Sequence, residues 1–226
     1  MIVITADQVD SRSTPDVAAA TLERLNGTFG ARLILAADRT AGDEIQMLVD
    51  GGETAVDIVL DLTRNGRWSV GLGFGHVREP LGASIRESTG DAFVAARSAV
   101  DRAKKKQTRF AAVTEPSQHD AHGARDAHGA HDRGAQVIGA HELEALVDLL
   151  LILRARRSEQ GWEMRDLVSR GLSQADAATE IGITPQSASK RARAADLKAE
   201  DAAIAPLARL ADALDAGFAP ARKETP

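Results

Sequence analysis

Residues 184–193 hold the densest run of side chains that could bond nucleic acid. Seven of them carry suitable groups: Thr184, Gln186, Ser187, Ser189, Lys190, Arg191 and Arg193. Glutamine can bond adenine through two atoms and arginine can bond guanine in the same way, whereas serine, threonine and lysine suit phosphates. Residues 184–198 also contain four cations against a single acid, Asp196. The segment therefore predicts a small basic surface that contacts double-stranded DNA.

Two short helices are needed to position these side chains. Ser173 is a typical N-cap for a helix over 174–181, and Gly182 suits a tight turn after it. Thr184 then caps a second helix whose first residue is Pro185, a position where a missing N–H does no harm. Two helices joined by a glycine-containing turn predict a helix-turn-helix over 173–195, whose second helix enters the major groove.

The second helix has one small inward face, formed by Ala188 and Ala192 at i, i+4 spacing. The polar and basic residues are therefore expected to point outward. Three arginines at the end of an upstream helix could add phosphate contacts: Arg154, Arg156 and Arg157. The alternative interpretations are a solvated helix end for these arginines, and a helix hairpin of a protein–protein module for residues 173–195.

The run from Ser173 to Ser187 reads Ser-Gln-x-x-x-Ala-x-x-x-Gly-Ile-Thr-x-x-Ser. This run resembles the helix-turn-helix of sigma-region-four and MarR-like regulators. The resemblance implies the same fold and the same DNA-binding role for the second helix.

Carboxylates follow two predicted neighbouring strands in the first half of the chain. Asp7 comes directly after the first strand, and Asp43 lies in the turn between the second and third. Two such carboxylates suit a Mg²⁺ or Mn²⁺ nucleotide complex, because Mg²⁺ takes one or two carboxylates plus phosphate oxygens. Gly71, Gly73 and Gly75 alternate along a further strand, where they either approach a phosphate or let a helix pack closely.

The runs Ile4–Arg12, Gly42–Glu44 and Gly71–Val77 resemble the SatD-like family and, more distantly, the palm-type domain of class III nucleotide cyclases. The cyclase resemblance implies that Asp7 and Asp43 hold metal. It also implies a nucleotide site at Gly42, Asp43, Gly71, Gly73 and Arg97. Phe93 stands where cyclases carry an asparagine, so the resemblance implies a domain that binds a ligand or dimerises rather than an active cyclase.

The apolar pattern predicts an α+β fold with a ferredoxin-like βαββαβ domain over 1–112, with the helices on one face of an antiparallel sheet. The predicted strands are 2–6, 32–37, 45–49 and 68–74, and the helices are 16–25, 54–63 and 91–106. A turn over 38–43 joins the second and third strands.

A histidine-rich repeat separates the two halves of the chain. Residues 113–140 contain almost nothing to bury and predict a flexible linker. Its four clustered histidines, His119, His122, His128 and His131, leave metal binding open as an alternative. Residues 141–219 are predicted to form an all-α domain with helices over 142–157, 163–169, 174–181, 185–195 and 202–216, followed by a frayed tail over 220–226.

The chain has 226 residues, a formal net charge of −5 and no cysteine. Its length favours two domains, and its lack of cysteine excludes a disulfide scaffold and a thiolate site. We find no signal-peptide pattern, and the longest apolar run, over 143–153, is too short for a membrane span. We therefore expect a cytoplasmic protein without a membrane partner.

Together these features predict a sequence-specific DNA-binding transcriptional regulator that requires no cofactor. Because helix-turn-helix proteins usually bind as dimers, we expect a homodimer, with the apolar helix over 143–153 as one contact and a nucleotide as a candidate ligand of residues 1–112. The alternative is a Mg- or Mn-dependent nucleotide cyclase, or a related phosphoryl-transfer enzyme, using Asp7 and Asp43. An interaction protein that never contacts DNA is a third hypothesis.

Overall fold

The computed structural model describes residues 1–115 and 139–218. Over these ranges the protein is mixed α+β, with a five-stranded sheet and eight α-helices. The strands are β1 (Ile2–Gln8), β2 (Leu33–Ala41), β3 (Glu44–Val49), β4 (Trp68–Phe74) and β5 (Phe110–Thr114). The helices are α1 (Ala18–Phe29), α2 (Gly52–Leu62), α3 (Asp91–Ala103), α4 (Ala140–Ala155), α5 (Glu159–Ser169), α6 (Gln174–Glu180), α7 (Pro185–Ala194) and α8 (Leu197–Ala216). The histidine cluster at 119–131 and the tail at 220–226 lie outside the described residues.

The strand order is β2-β3-β1-β4-β5, with β1 in the middle of the sheet. β1 pairs antiparallel with both β3 and β4, β2 and β3 form an antiparallel hairpin, and β5 runs parallel to β4. The hairpin turn consists of Gly42 and Asp43, and Gly42 has a φ of 57° that favours glycine. Residues 38–41, which were predicted to be part of the turn, therefore extend β2.

Different helices cover the two faces of the sheet. Ile2 and Ile4 of β1 enter the core that α1 and α2 share, whereas Val3 packs with Ala92 and Ala96 of α3. Successive strand residues point to opposite faces, which gives this alternation. The predicted placement of the helices on one face is therefore wrong for α3.

Three alternating glycines, two in β4 and one directly after it, lie beneath α3. A Cβ at Gly71 would lie 2.6 Å from the Ala96 carbonyl oxygen, and one at Gly75 would lie 2.8 Å from the Ala92 amide nitrogen. At Gly73 an added Cβ would overlap the backbone of both alanines. The glycines thus allow the helix to approach the strand, which is one of the two roles considered for them.

β5 was not predicted, because its sequence Phe-Ala-Ala-Val-Thr is short and its two alanines favour no strand. The strand is stabilised by tertiary contacts rather than by its own strand preference. It pairs with β4, and Phe110 and Ala112 are fully or almost fully buried in the main core. The described part of the predicted linker, 113–115, therefore begins with the end of β5.

α4 and α8 pack on the same core as the sheet. Their contributions to that core include Leu143, Val147, Leu207, Ala211 and Leu214. Asp212 of α8 accepts a hydrogen bond from the backbone N–H of Gly52 at 2.6 Å, and Glu144 of α4 accepts one from Ala112 at 2.8 Å. The helices of the predicted domain 141–219 are thus divided between this core and a second, smaller one.

The second core is built mainly from α5, α6 and α7, with two residues from the connection to α8 and its start. Its buried members are Met164, Leu167, Ala177, Ala178, Ala188, Ala192, Ala195 and Leu197. Five of these eight residues are alanine, whose side chains are small. The helices can therefore approach closely, and the apolar area that the core buries is small. Within residues 1–115 and 139–218, none of the helices has the length and apolar character needed to cross a bilayer.

Candidate nucleic-acid interface

Side-chain caps fix the starts of α6 and α7. The Ser173 hydroxyl accepts a hydrogen bond from the N–H of Asp176 at 3.1 Å, and the Thr184 hydroxyl accepts one from the N–H of Ser187 at 3.2 Å. Pro185 is the first residue of α7. Such caps satisfy N–H groups that a helix start leaves free. All three predicted positions are confirmed.

The turn between α6 and α7 is closed by its own backbone. Gly182 has a φ of 66°, and its N–H donates to the Thr179 carbonyl at 3.3 Å. The N–H of Ile183 donates to the Ala178 carbonyl at 2.9 Å, and its side chain packs half-buried against the second core. A left-handed glycine followed by an anchored apolar residue ends a helix sharply. The direction in which α7 leaves the turn is therefore defined.

α7 lies on the surface of the protein and buries one narrow face. Ala188 is fully buried and Ala192 is 3% exposed, as the i, i+4 spacing predicted. Among the predicted DNA-contacting residues, the exposed ones are Thr184, Gln186, Ser187, Lys190 and Arg193, and the half-buried ones are Ser189 and Arg191. The donor-bearing face of the helix is therefore accessible along its length.

The cations of α7 differ in whether they are already paired. The Arg191 guanidinium lies 3.0 Å from a Glu163 carboxylate oxygen on α5. Within the described part of the chain, Lys190 and Arg193 form no ion pair. Arg191 is thus partly neutralised by its own protein, and the free positive charge of α7 lies on the other two residues.

Two of the three upstream arginines do not reach the surface. Arg154 and Arg157 are buried and both pair with Glu200 of α8, whereas Arg156 is exposed. The interpretation of all three as phosphate contacts or as a solvated helix end is wrong for the buried pair. Their i, i+3 spacing at the C-terminal end of α4 was a signal that one carboxylate could bind both.

The buried arginines connect α7 to the rest of the molecule. Arg157 donates to the Ala195 carbonyl directly after α7 at 3.0 Å, and Arg154 donates to the Leu60 carbonyl of α2 at 2.8 Å. Glu200 pairs with both guanidinium groups. Burial lowers the pKa of Arg154 to about 10, against the attraction of Glu200. The sequence analysis missed Glu200, which joins the sheet half to the end of α7.

A separate charged cluster lies beside the β2–β3 turn. The Lys104 ammonium is 2.9 Å from an Asp7 carboxylate oxygen, and the Arg97 guanidinium is 2.6 Å from a Glu44 oxygen. Asp43 is near enough for its charge to act on Asp7. The structure thus brings the predicted metal residues and Arg97 into one region, but Gly71 and Gly73 lie under α3.

The residues present do not fit a resident Mg²⁺ or Mn²⁺. Lys104 already occupies the position of a cation beside Asp7, and Arg97 neutralises Glu44. In the described residues, no group of three or more His, Asp or Glu side chains is arranged to hold a metal ion. Phe93 packs in an apolar cluster with Val3.

Burial raises the pKa of Asp7 above its ordinary value of 3.8, and the charges of Asp43 and Glu44 add to this effect, while Lys104 opposes it. Burial alone would lower the pKa of Lys104, but hydrogen bonds and charges from Asp7 and Asp101 outweigh it, so that pKa is also raised. Burial therefore disfavours the charged form of Asp7, whereas the neighbouring carboxylates favour the charged form of Lys104.

We predict that Asp7→Asn changes how stability depends on pH. Between pH 3.8 and the raised pKa of Asp7, the folded protein holds a proton that the unfolded chain has released. Lowering the pH through this window should therefore stabilise the unsubstituted protein relative to the variant. Urea unfolding from about pH 7 to about pH 4 measures the difference, with the exposed Asp10→Asn as the control. A difference for Asp7→Asn that does not vary with pH would contradict the assignment.

The described residues define an α+β protein with an exposed, capped and basic helix on a small three-helix core. Comparisons of the chain with protein-family models, curated proteins and solved structures found no match. The function of this helix must therefore be inferred from its own chemistry.

Proposed function

We propose that the protein is a sequence-specific DNA-binding regulator of transcription in which α6 and α7 form a helix-turn-helix. The observation that carries this proposal is the exposure of α7, which buries only Ala188 and Ala192 and presents its donors to solvent. The turn geometry and the caps at Ser173 and Thr184 support it, because the recognition helix of such a motif must be held at a fixed angle to the helix before it. α7 enters the major groove of double-stranded DNA in this proposal.

The side chains of α7 suit different parts of the duplex. Gln186 lies near the start of the helix, the end that contacts base edges in a helix-turn-helix, and glutamine pairs with adenine. Arg193 is one candidate for guanine, and Lys190 for phosphate. Thr184, Ser187 and Ser189 add donors for the backbone. Base contacts carry sequence information directly whereas phosphate contacts do not, so Gln186 and Arg193 would set the preferred site.

For residues 1–112 we propose a ferredoxin-like fold that supports α7 and either dimerises or senses a nucleotide. The βαββαβ order with β1 between β3 and β4 supports this fold. The buried pairs of Glu200 support coupling to α7, because they join α2, α4 and α8 to the residue that follows it. Repeating DNA binding with and without a nucleotide panel tests the sensing role.

We predict that Lys190→Ala combined with Arg193→Ala weakens binding to double-stranded DNA by about tenfold or more at low salt. A cation that contacts a phosphate releases counterions, so the loss of Lys190 also reduces the slope of log affinity against log salt, by about one unit. Fluorescence anisotropy with fragments of genomic duplex at several salt concentrations measures both quantities.

The matched control is Lys105→Ala combined with Arg78→Ala, which removes the same charge from exposed positions far from α7 in sequence. This control should retain the affinity and slope of the unsubstituted protein. Equal losses in the two double variants would show that net charge, and not α7, determines binding. Absence of binding by the unsubstituted protein to any fragment at low salt would remove the proposal.

We predict that Glu163→Gln strengthens DNA binding by about two- to fivefold. The substitution removes a negative charge beside the proposed interface and frees Arg191, which now pairs with it. The same anisotropy titration checks the change, with Glu159→Gln on the first turn of α5 as the control. Weaker binding by Glu163→Gln would place Arg191 in a purely structural role.

The alternative proposal is a phosphoryl-transfer activity such as a nucleotide cyclase. The grouping of Asp7 with Asp43 favours it, while Lys104 and the α3-covered strand oppose it. Incubation of the pure protein with ATP or GTP and manganese tests it, with Asp43→Asn as the comparison. Product from the unsubstituted protein that the variant fails to form would support this activity, and equal background in both would remove it.

A further inference from the structure

α4 carries a row of large apolar side chains that the described residues leave uncovered. Leu146 is 45% exposed, Leu149 is 65% exposed and Ile152 is 38% exposed. The row lies on one side of the helix because its members are three residues apart. Val94 on α3 is the other large hydrophobic residue exposed to this degree in the described ranges. It stands alone, so the row on α4 is unusual for this surface.

The opposite side of α4 already packs on the protein core. Its buried residues are Leu143, Val147, Leu150 and Leu151. A helix that is apolar on both sides is typical of a position between two layers. One of these layers is the main core, and the described residues supply no second layer over the row.

The sequence of α4 is symmetric about Leu149 in a way that fits a second copy. Leu146 and Ile152 lie three residues before and after it, and Glu142 and Arg156 lie seven residues before and after it. In an antiparallel pair of α4 helices with a two-fold axis at Leu149, Leu146 faces Ile152 of the second copy. Glu142 then faces Arg156 at both ends of the pair.

We propose that α4 is a self-association surface that binds α4 of a second copy in antiparallel orientation. The charges support this partner: Glu142 and Arg156 are exposed, and neither forms an ion pair in the described part of the chain. The two ends of the row are therefore complementary to each other. An isologous contact of this kind is self-complementary by construction. The proposal goes beyond DNA binding and does not depend on it.

Residues 116–138 offer a weaker fit to the row. They directly precede α4 in sequence, but Val137 and Ile138 are their only large aliphatic residues. A second α4 supplies three such side chains at matching spacing. A single helix pair is smaller than a standard interface of roughly 1,600 Å², so the association should be reversible and concentration-dependent.

The absence of cysteine makes cross-linking at Leu149 a direct test. In Leu149→Cys the two thiols meet at the proposed axis, so mild oxidation should convert most of the full-length protein to a disulfide-linked dimer. Val94→Cys, an equally exposed apolar site on α3, should stay largely monomeric. Equal cross-linking of both variants, or none at Leu149→Cys, would overturn the proposal.

Charge reversal tests the antiparallel register. Analytical ultracentrifugation should show dimerisation of the unsubstituted protein, weakened about tenfold by Arg156→Glu because two attractive pairs become repulsive. Adding Glu142→Arg to Arg156→Glu should restore it. A monomer at every concentration, or no rescue in the double variant, would contradict the register. Circular dichroism confirms that each variant is folded, and no DNA is used, so failure here leaves the DNA-binding proposal to its own test.

Discussion

Replacing Glu200 with alanine should lower the free energy of unfolding by about 3–5 kcal/mol. The Glu200 carboxylate is 1% exposed and pairs with Arg157, which is fully buried, and with Arg154, which is 8% exposed. Its removal leaves two guanidinium groups in the interior without their counter-ion. The guanidinium groups of Arg157 and Arg154 also lie over the ring of Trp162, at 4.5 and 5.0 Å from its centroid.

The neighbouring Asp201→Ala is the matched control for this prediction. Asp201 also pairs with an arginine, Arg165, but its side chain is 51% exposed. Surface ion pairs contribute about 0–1 kcal/mol, so this variant should remain near the stability of the unsubstituted protein. Urea unfolding of both variants at neutral pH gives the comparison. Equal and small losses would show that Glu200 is not the counter-ion that holds this region together.

Gly73→Ala should destabilise the protein by about 3 kcal/mol, at the upper end of the range for overpacked cores. The added Cβ would overlap the Ala92 carbonyl oxygen and lie 2.7 Å from the Ala96 Cβ. Both belong to α3, which cannot yield by rotating a side chain. Either α3 moves away from β4 or the sheet distorts, and packing is lost in both cases.

Gly27→Ala provides the opposite outcome in the same protein. Gly27 lies within α1 with nothing within 4 Å of an added Cβ. Alanine should stabilise a helix interior by about 1 kcal/mol relative to glycine. Thermal or urea unfolding of the two variants separates the effects. If Gly73→Ala kept normal stability but lost binding of ATP or GTP, the glycine would serve a nucleotide rather than helix packing.

Local signals in the sequence were enough to predict α7 and its surroundings. Thr184, Pro185 and the Ala188–Ala192 stripe act within a few residues of one another, so the caps and the buried face follow from their order alone. β4 was predicted over 68–74 and is found there. Trp68–Phe74 is a short, mainly apolar segment bounded by polar and glycine-containing turns, which is a local signal for a buried strand.

Features that depend on distant partners were not predicted. β5 forms because β4 offers it an edge, and its own sequence carries little strand preference. The position of α3 follows from three glycines, Gly71, Gly73 and Gly75, which lie 16 to 20 residues before its first residue. The burial of Arg154 depends on Glu200, 46 residues away. Such contacts require the tertiary arrangement, which hydrophobic periodicity does not supply.

The sequence indicated which residues of α7 lie at the surface, but not which of its cations are paired with acids elsewhere in the chain. All seven residues assigned to α7 and its cap lie at or near the surface, yet Arg191 is paired with Glu163 from α5. The acid that neutralises it lies 28 residues earlier in the chain. Sequence analysis of residues 184–198 alone therefore overestimated the free positive charge of the helix.

The most direct test is photo-cross-linking to double-stranded DNA from a single cysteine on α7. Because the chain has no cysteine, Gln186→Cys carries the reagent at one defined position, and Val94→Cys carries it on α3. Irradiation with bound genomic duplex should link DNA efficiently from residue 186 and only at background from residue 94. Equal yields from both positions, or DNA linked from residue 94 alone, would contradict the proposal that α7 lies in the groove.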